Sequence, residues 1–282
     1  MKIGISVLPT DYSPDIALIA KELEELKFES LWVEDRPILP VNTFIKPVDG
    51  IRIPKIFADV ADPFVSLARA SSVTEKLKLA TGPCLITERN PLLLSKEVAS
   101  LDMFTKGRFI FGIGMSPFKE EISIMGGDFD NIWANIEEAV LSMKVLWTET
   151  KSEFSGNYYK FPPVFSFPSS VSEPHPPVLV YTNDEKSYEY ISKWGNGIVL
   201  ENISPDELIS QKILFDNLFI KSNKDFDITI KTKDVSRDLE LINEFEFAGA
   251  NRLIIDLYSY DSEQSIESLQ DIANKIKLYK NI

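Results

Sequence analysis

A single cysteine, Cys84, and a single histidine, His175, are all that 282 residues supply of the two side chains that most often serve as nucleophile, metal ligand or proton shuttle. One cysteine excludes an internal disulfide and any cysteine-based zinc site within the chain. It reads as a packing residue, since a lone buried thiol usually is one. His175 precedes the fifth strand-like run, on the side away from the strand ends where barrel enzymes work. Ser-His and Cys-His pairs and His-containing metal sites are therefore excluded within the chain. Positive charge is also scarce: 30 Lys and Arg stand against 43 Asp and Glu, a formal charge of −13. Such a surface repels nucleic acid, and any bound phosphate has to be held by a local pocket working against the overall field. No segment approaches the ~20 apolar residues of a membrane span, and "MKIGISVLPTD" is too brief for a secretory signal, so a soluble, cytoplasmic protein is expected. A P-loop is missing, and "GIGMSPFKEE" lacks the third glycine and the helix start of a dinucleotide fingerprint.

What is present is core material, with 44% hydrophobic residues, 18 Phe, 9 Tyr and 4 Trp. Eight short apolar runs recur along the chain: 2–7, 30–34, 77–82, 108–114, 177–182, 197–201, 227–232 and 251–257. Most are apolar at successive positions, as in parallel strands covered on both faces. Between and after them lie amphipathic stretches at 14–26, 63–75, 91–104, 131–147, 185–194, 205–221, 236–248 and 262–278; the first carries Ile16, Leu18, Ile19, Leu23 and Leu26 at helical spacing. Eight strand-then-helix units in this length predict one (β/α)8 TIM barrel spanning residues 1–282. The long irregular pieces are 35–62, 115–130 and 151–176. The first two follow strands 2 and 4 and so cover the carboxyl-end face. The third leads into strand 5, its aromatics covering a barrel edge.

With no evident acid, base or nucleophile of its own, such a chain suits chemistry carried by a cofactor. The stretches "FESLWVEDRPILP" (28–40), "DPFVSLARASSVTEKLKLATG" (62–82), "ERNPLLLSKEVASLDMFTKGRFIFGIG" (88–114), "EEISIMGGDF" (120–129), "LWTETKSEFSGNYYKFPPV" (146–164), "PHPPVLV" (174–180) and "WGNGIV" (194–199) together resemble the luciferase-like monooxygenase superfamily. Within it, the chain is similar to the branch linked to the deazaflavin coenzyme F420. The resemblance implies a barrel, often a homodimer, that binds a flavin or deazaflavin at the carboxyl ends of its strands. Three functions follow from it. The first is an oxidoreductase moving hydride between coenzyme F420 and a small organic substrate held under the loops at 36–61 and 115–130. The second is an FMN-dependent monooxygenase supplied with reduced flavin by a separate reductase. The third is a non-catalytic barrel with a degenerate cofactor site.

The resemblance also assigns residues. At the end of the third strand it places a cis peptide, here Gly82–Pro83, as the support behind the ring. Asp35 and Arg36 stand where relatives often have an acid and a histidine near the ring. Arg36 either stabilises charge on the ring's pyrimidine edge or forms a salt bridge with Glu34 or Asp35. Arg89 and Asn90 either donate to cofactor or substrate or tie down their loop, Asn90 by capping the helix that starts at Pro91. Gly112 and Gly114 let backbone approach a flat ligand, with Met115 and Ser116 following toward the cofactor. Glu120 and Glu121 read as solvated helix charges. After the fifth strand, where relatives show two glycines and a phosphate, stands "YTNDEKS". Thr182, Asn183 and Ser187 offer donors there and Lys186 a charge, whereas Tyr181 adds bulk and Asp184 adds repulsion, so the phosphate site is weakened or rebuilt. Lys27, in place of a usual glycine, reads as structural. The ring requires a slot not filled by Tyr181, Met115 or Phe118.

Overall fold

The computed structural model describes residues 1–41, 55–219, 226–232, 240–257 and 262–280. Eight strands, β1 (Lys2–Val7), β2 (Ser30–Val33), β3 (Lys78–Thr81), β4 (Phe109–Gly114), β5 (Val178–Tyr181), β6 (Gly197–Glu201), β7 (Asp227–Thr232) and β8 (Arg252–Leu257), pair in parallel. Each pairs with its neighbours in chain order, from Gly4 opposite Ser30 in β1/β2 round to Lys2 opposite Arg252 in β8/β1, so the sheet closes into a (β/α)8 barrel. One principal helix follows each strand: α1 (Ile16–Glu25), α2 (Pro63–Ser71), α3 (Pro91–Thr105), α4 (Ile132–Thr148), α5 (Tyr188–Trp194), α6 (Pro205–Phe219), α7 (Glu240–Phe247) and α8 (Ser262–Lys280). The expected fold is thus observed.

Local chemistry sets the helix starts. Asp15, Asp62 and Asn90 each accept backbone N–H groups of the first turn of α1, α2 and α3, and Pro63 and Pro91 occupy first positions whose missing N–H is not needed. Lys27 follows α1 in the left-handed region at φ 66°, which accounts for the glycine of relatives and fits its structural reading.

The barrel interior is layered. At the amino end, Arg252 lies 2% exposed and donates to Glu29, Asp227 and Thr229. Its guanidinium sits 5.6 Å from the ring centre of Trp32 in the middle layer, with Ala80, Ile110, Leu179, Val199 and Ile254. Gly4 is required here, because a Cβ would stand 2.8 Å from the Trp32 indole nitrogen. The carboxyl-end layer holds Tyr181, edge-on to Trp32 at 6.2 Å, and Lys231.

Three details differ from expectation. Within 151–176, Ser152–Ser155 and Lys160–Val164 form an antiparallel hairpin in which Phe154 stacks on Phe161. The 185–194 stretch is split, a 3-10 turn at Glu185–Ser187 preceding α5. X-Pro bonds at Phe167–Pro168 and Glu173–Pro174 are cis in addition to the expected Gly82–Pro83. His175 packs beside Trp147 at 5.7 Å, and Cys84 is fully buried with its thiol pushed well up, chiefly by burial. Residues 42–54 of the long loop after β2, 220–221 of the expected sixth helix and 236–239 of the seventh lie outside the described residues.

Candidate functional site

The carboxyl ends of β2, β3 and β4 bring together several of the residues singled out in the sequence. Asp35, just past β2, is 4% exposed and receives a bidentate pair of hydrogen bonds from Arg89 at 2.8 and 2.9 Å, plus the Leu85 N–H at 3.1 Å. Arg89 also reaches Asp62, the α2 cap, at 2.9 Å and stacks on Phe64. One guanidinium thereby fastens the β2 loop to the starts of α2 and α3. Asn90 turns its side-chain oxygen to the Leu92 and Leu93 N–H groups, the capping role weighed for it.

Arg36 pairs with neither Glu34 nor Asp35. It donates to Glu121 at 2.7 Å, between the rings of Phe57 and Phe118, and the Ser116 hydroxyl donates to the same carboxylate oxygen. Glu121 is fully buried, which corrects its reading as a solvated helix charge; Glu120 is the exposed one. The short helix Lys119–Ile124 turns Glu121 and Ile122 inward together, and the loop after β2 supplies the countercharge from 85 residues away.

Glu88 is the functional candidate that sequence reasoning passed over. Its only signal was position, on the segment after β3 two residues before the α3 cap. It is 4% exposed, and both carboxylate oxygens lack a hydrogen-bond partner. Burial, and then the nearby charge of Glu121, push it up to about 8, so at neutral pH it carries a proton. Arg36 Nε, Thr87 Oγ1 and Glu121 Oε1 are buried without hydrogen-bond partners as well. A cleft of about 450 Å³ opens beside them, bordered by Arg36 and Val60 from one long loop, Met125 from the other, and Glu88, Arg89 and Leu93. That volume lies in the usual range for small organic ligands, ~300–1,000 Å³.

Next to this cleft the Gly82–Pro83 bond is cis, as the resemblance implied, and the Pro83 carbonyl accepts the Asp35 N–H at 3.2 Å. Pro83 and Met115 are half-buried. A Cβ on Gly114 would stand 2.9 Å from Pro83 Cβ and 3.4 Å from Tyr181 Cβ. A Cβ on Gly82 would stand 2.9 Å from the Tyr181 hydroxyl. Protein packing therefore already accounts for both glycines. Tyr181 is buried, with Lys231 5.9 Å from its ring centre.

The turn after β5 binds itself. The Thr182 N–H goes to the Val199 carbonyl, the Asp184 N–H to Thr182 Oγ1, the Lys186 N–H to Asp184 Oδ1 and the Ser187 N–H to the Asp184 carbonyl. Asn183 exchanges two hydrogen bonds with the backbone of Glu201, and Ser187 donates to the Asp184 carbonyl. Of the three donors assigned by resemblance, the Asn183 and Ser187 side chains donate within the fold, whereas the Thr182 hydroxyl accepts.

These observations test the fit of a flavin-type cofactor in two parts. The unsatisfied groups around the cleft and the half-buried Pro83 and Met115 suit a planar, hydrogen-bonding ring. The β5–α5 turn, with the N–H groups of Thr182, Asp184, Lys186 and Ser187 engaged and an acid at its centre, suits a phosphate less well. Among the described residues no group of three or more His, Cys, Asp or Glu is placed to hold a metal, and no helix is long and apolar enough to cross a membrane.

Comparison with known proteins agrees with this arrangement. Residues 4–214 match the family model for the luciferase-like monooxygenases. An uncharacterized protein of Mycobacterium tuberculosis is 30% identical over 201 residues, 70% of this chain and 71% of that one. An F420-dependent glucose-6-phosphate dehydrogenase of Amycolatopsis mediterranei is 23% identical over 96% of this chain and 81% of its own. In fold, the chain aligns with a monooxygenase from Streptomyces bottropensis at a TM-score of 0.77 and 19% identity, covering 99% of this chain and 100% of the other. Members of the family are oxidoreductases and monooxygenases that depend on flavin-type cofactors. With its closed parallel barrel and its polar cleft at the strand ends, this chain belongs to the luciferase-like monooxygenase family.

Proposed function

We propose that the protein is an oxidoreductase that moves hydride between a flavin-type ring and a small organic substrate. The first reading is the deazaflavin of coenzyme F420, which the F420-dependent relative supports. The second is FMN, with a separate reductase as partner, which a flavin-dependent monooxygenase component among the relatives supports. The observation that carries the proposal is the cleft at the ends of β2 and β3, with a proton-bearing Glu88 and an unsatisfied Arg36 Nε at its border. A bound deazaflavin supplies two-electron hydride chemistry, and a bound isoalloxazine adds oxygen activation.

Pro83, Gly114 and Met115 would hold the ring's face and Arg36 its pyrimidine edge. Arg36 is itself fixed by Glu121 and stacked between two phenylalanines, so it presents its positive charge in a fixed orientation. Glu88 holds a proton at its carboxyl group through pH 7 and is a candidate proton donor at this border. Asp35 and Arg89 keep the loop and both helix starts in register, which orients the substrate.

A homodimer is part of the proposal. Val65 on α2 and Leu93 and Phe104 on α3 are 72%, 62% and 57% exposed, apolar side chains on two helices that a second copy would cover.

The test is a titration of the purified protein with F420, FMN and riboflavin, following ring fluorescence. Saturable quenching by at least one of them is expected, and the compound that binds decides between the two readings. Absence of quenching by all of them overturns the proposal.

A further inference from the structure

We infer that the substrate of this protein is a neutral amide, a carboxamide or lactam whose N–H and C=O lie on adjacent atoms and pair with the two carboxyl oxygens of Glu88. The inference rests on the reading above that a flavin-type ring and a small organic substrate share the carboxyl end of the barrel, and it names the class of that substrate.

Glu88 borders the cleft, is 4% exposed and has no hydrogen-bond partner at either carboxyl oxygen. A buried polar group left unmatched costs ~1–3 kcal/mol, so a ligand that satisfies both oxygens removes a penalty the folded chain carries. The other charged side chains of the cleft wall are committed. Arg89 is held by Asp35, Asp62 and Glu97, and Arg36 by Glu121. Among the described residues, Glu88 is the one charged group of the wall that enters no ion pair. Arg36 Nε, the other unmatched atom at this border, faces the ring in the reading above, which leaves Glu88 to the substrate.

The protonation state of Glu88 selects the ligand. Burial first, and then the charges of Glu121 and Asp35, hold its proton to about pH 8 against the opposing pull of Arg36 and Arg89. At neutral pH the group is a carboxylic acid, with an O–H donor and a C=O acceptor side by side. A carboxamide or lactam presents the complementary acceptor and donor and forms two parallel hydrogen bonds with it. A ketone or an ester has no N–H and leaves one oxygen unmatched. A carboxylate ligand adds an anion beside Asp35, Asp62 and Glu97, which already share a single arginine. An amidinium requires Glu88 to ionise against burial and arrives beside two guanidinium groups. Val60, Leu93, Leu94 and Met125 make the rest of the wall apolar, which suits an amide carried on a compact hydrophobic body.

Four probes with one phenyl body separate these cases: benzamide, acetophenone without the N–H, benzoate as anion and benzamidine as cation. Their dissociation constants are measured by ligand-observed NMR on the purified protein, with and without F420 or FMN. At pH 6.5 benzamide is expected to bind about tenfold more tightly than each of the others. Because it takes the protonated acid, its affinity should stay level to about pH 8 and then fall toward tenfold per pH unit. Glu88→Gln keeps a donor and an acceptor on adjacent atoms, so it should hold benzamide within about threefold of the parent and lose the fall above pH 8. Glu88→Leu should erase the preference for benzamide over acetophenone. A preference for benzamidine that grows from pH 6 to 8 shows Glu88 binding as a carboxylate and overturns the inference. Equal binding of benzamide and acetophenone, a preference for benzoate, or no binding of benzamide overturns it as well. Each of these results leaves the ring proposal standing where F420 or FMN quenches. Selection of benzamide by a protein that binds neither ring supports the amide seat and removes the hydride chemistry.

Discussion

Lys231 on β7 and Glu34 at the end of β2 form an ion pair inside the barrel, 197 residues apart in sequence, with side chains 6% and 13% exposed. Glu201 at 3.3 Å and Asp256 at 3.5 Å complete a ring of three carboxylates around one ammonium. Burial alone would lower the lysine's proton affinity; these carboxylates outweigh it and hold Lys231 well above the ordinary lysine range. Lys231→Met strands buried acids without a countercharge and is expected to cost about 3–5 kcal/mol in urea unfolding. Adding Glu34→Gln should recover part of that loss. A single variant within about 1 kcal/mol of the parent shows that water reaches this layer.

Glu88 gives a pH signature. Its proton is held to about pH 8 in the folded chain against an ordinary 4.5 when unfolded. The native state therefore binds the extra proton, and the stability it contributes is full below about 4.5 and is lost as pH rises through about 8. The slope between those limits approaches ~1.4 kcal/mol per pH unit. Glu88→Gln lacks this dependence. Melting curves at pH 5, 7 and 9 should show the variant gaining on the parent at each step, and parallel curves for the two would place Glu88 in contact with solvent.

The Arg36–Glu121 pair links the loops after β2 and β4. Arg36→Met is expected to destabilise by about 3–5 kcal/mol, because it leaves a buried carboxylate held only by Ser116. Glu121→Gln in that background should relieve most of the loss. Chemical denaturation of the two singles and the double gives the coupling energy, which vanishes if the pair does not form in solution.

Light scattering of the purified protein tests the α2/α3 stripe. A dimer is expected, and Phe104→Lys combined with Leu93→Lys should shift it to monomer with an unchanged melting profile of the barrel itself. A parent protein that is monomeric at micromolar concentration removes the homodimer from the proposal.

Several features of the site were legible in advance for local reasons. Asn90 before Pro91 is a cap whatever surrounds it, since both its hydrogen bonds fall within three residues. Cys84 in an apolar run was readable as packing, and it is fully buried. Glu121 was misread because nothing within its own helix reveals that Arg36 reaches it from another loop. Glu88 went unnoticed because an acid two residues from a helix cap ordinarily faces solvent, and only its tertiary surroundings bury it.

The sequence by itself determined the barrel, its eight strands and the cap at Asn90, because apolar periodicity and capping act over a few residues and do not depend on distant partners. Only the tertiary structure decided which charges are buried, which pairs neutralise them and that the β5–α5 turn closes on Asp184. Those outcomes depend on dielectric and countercharge supplied by strands and loops far away in the chain, and the Coulomb energy that sorts them is a function of distance in space alone.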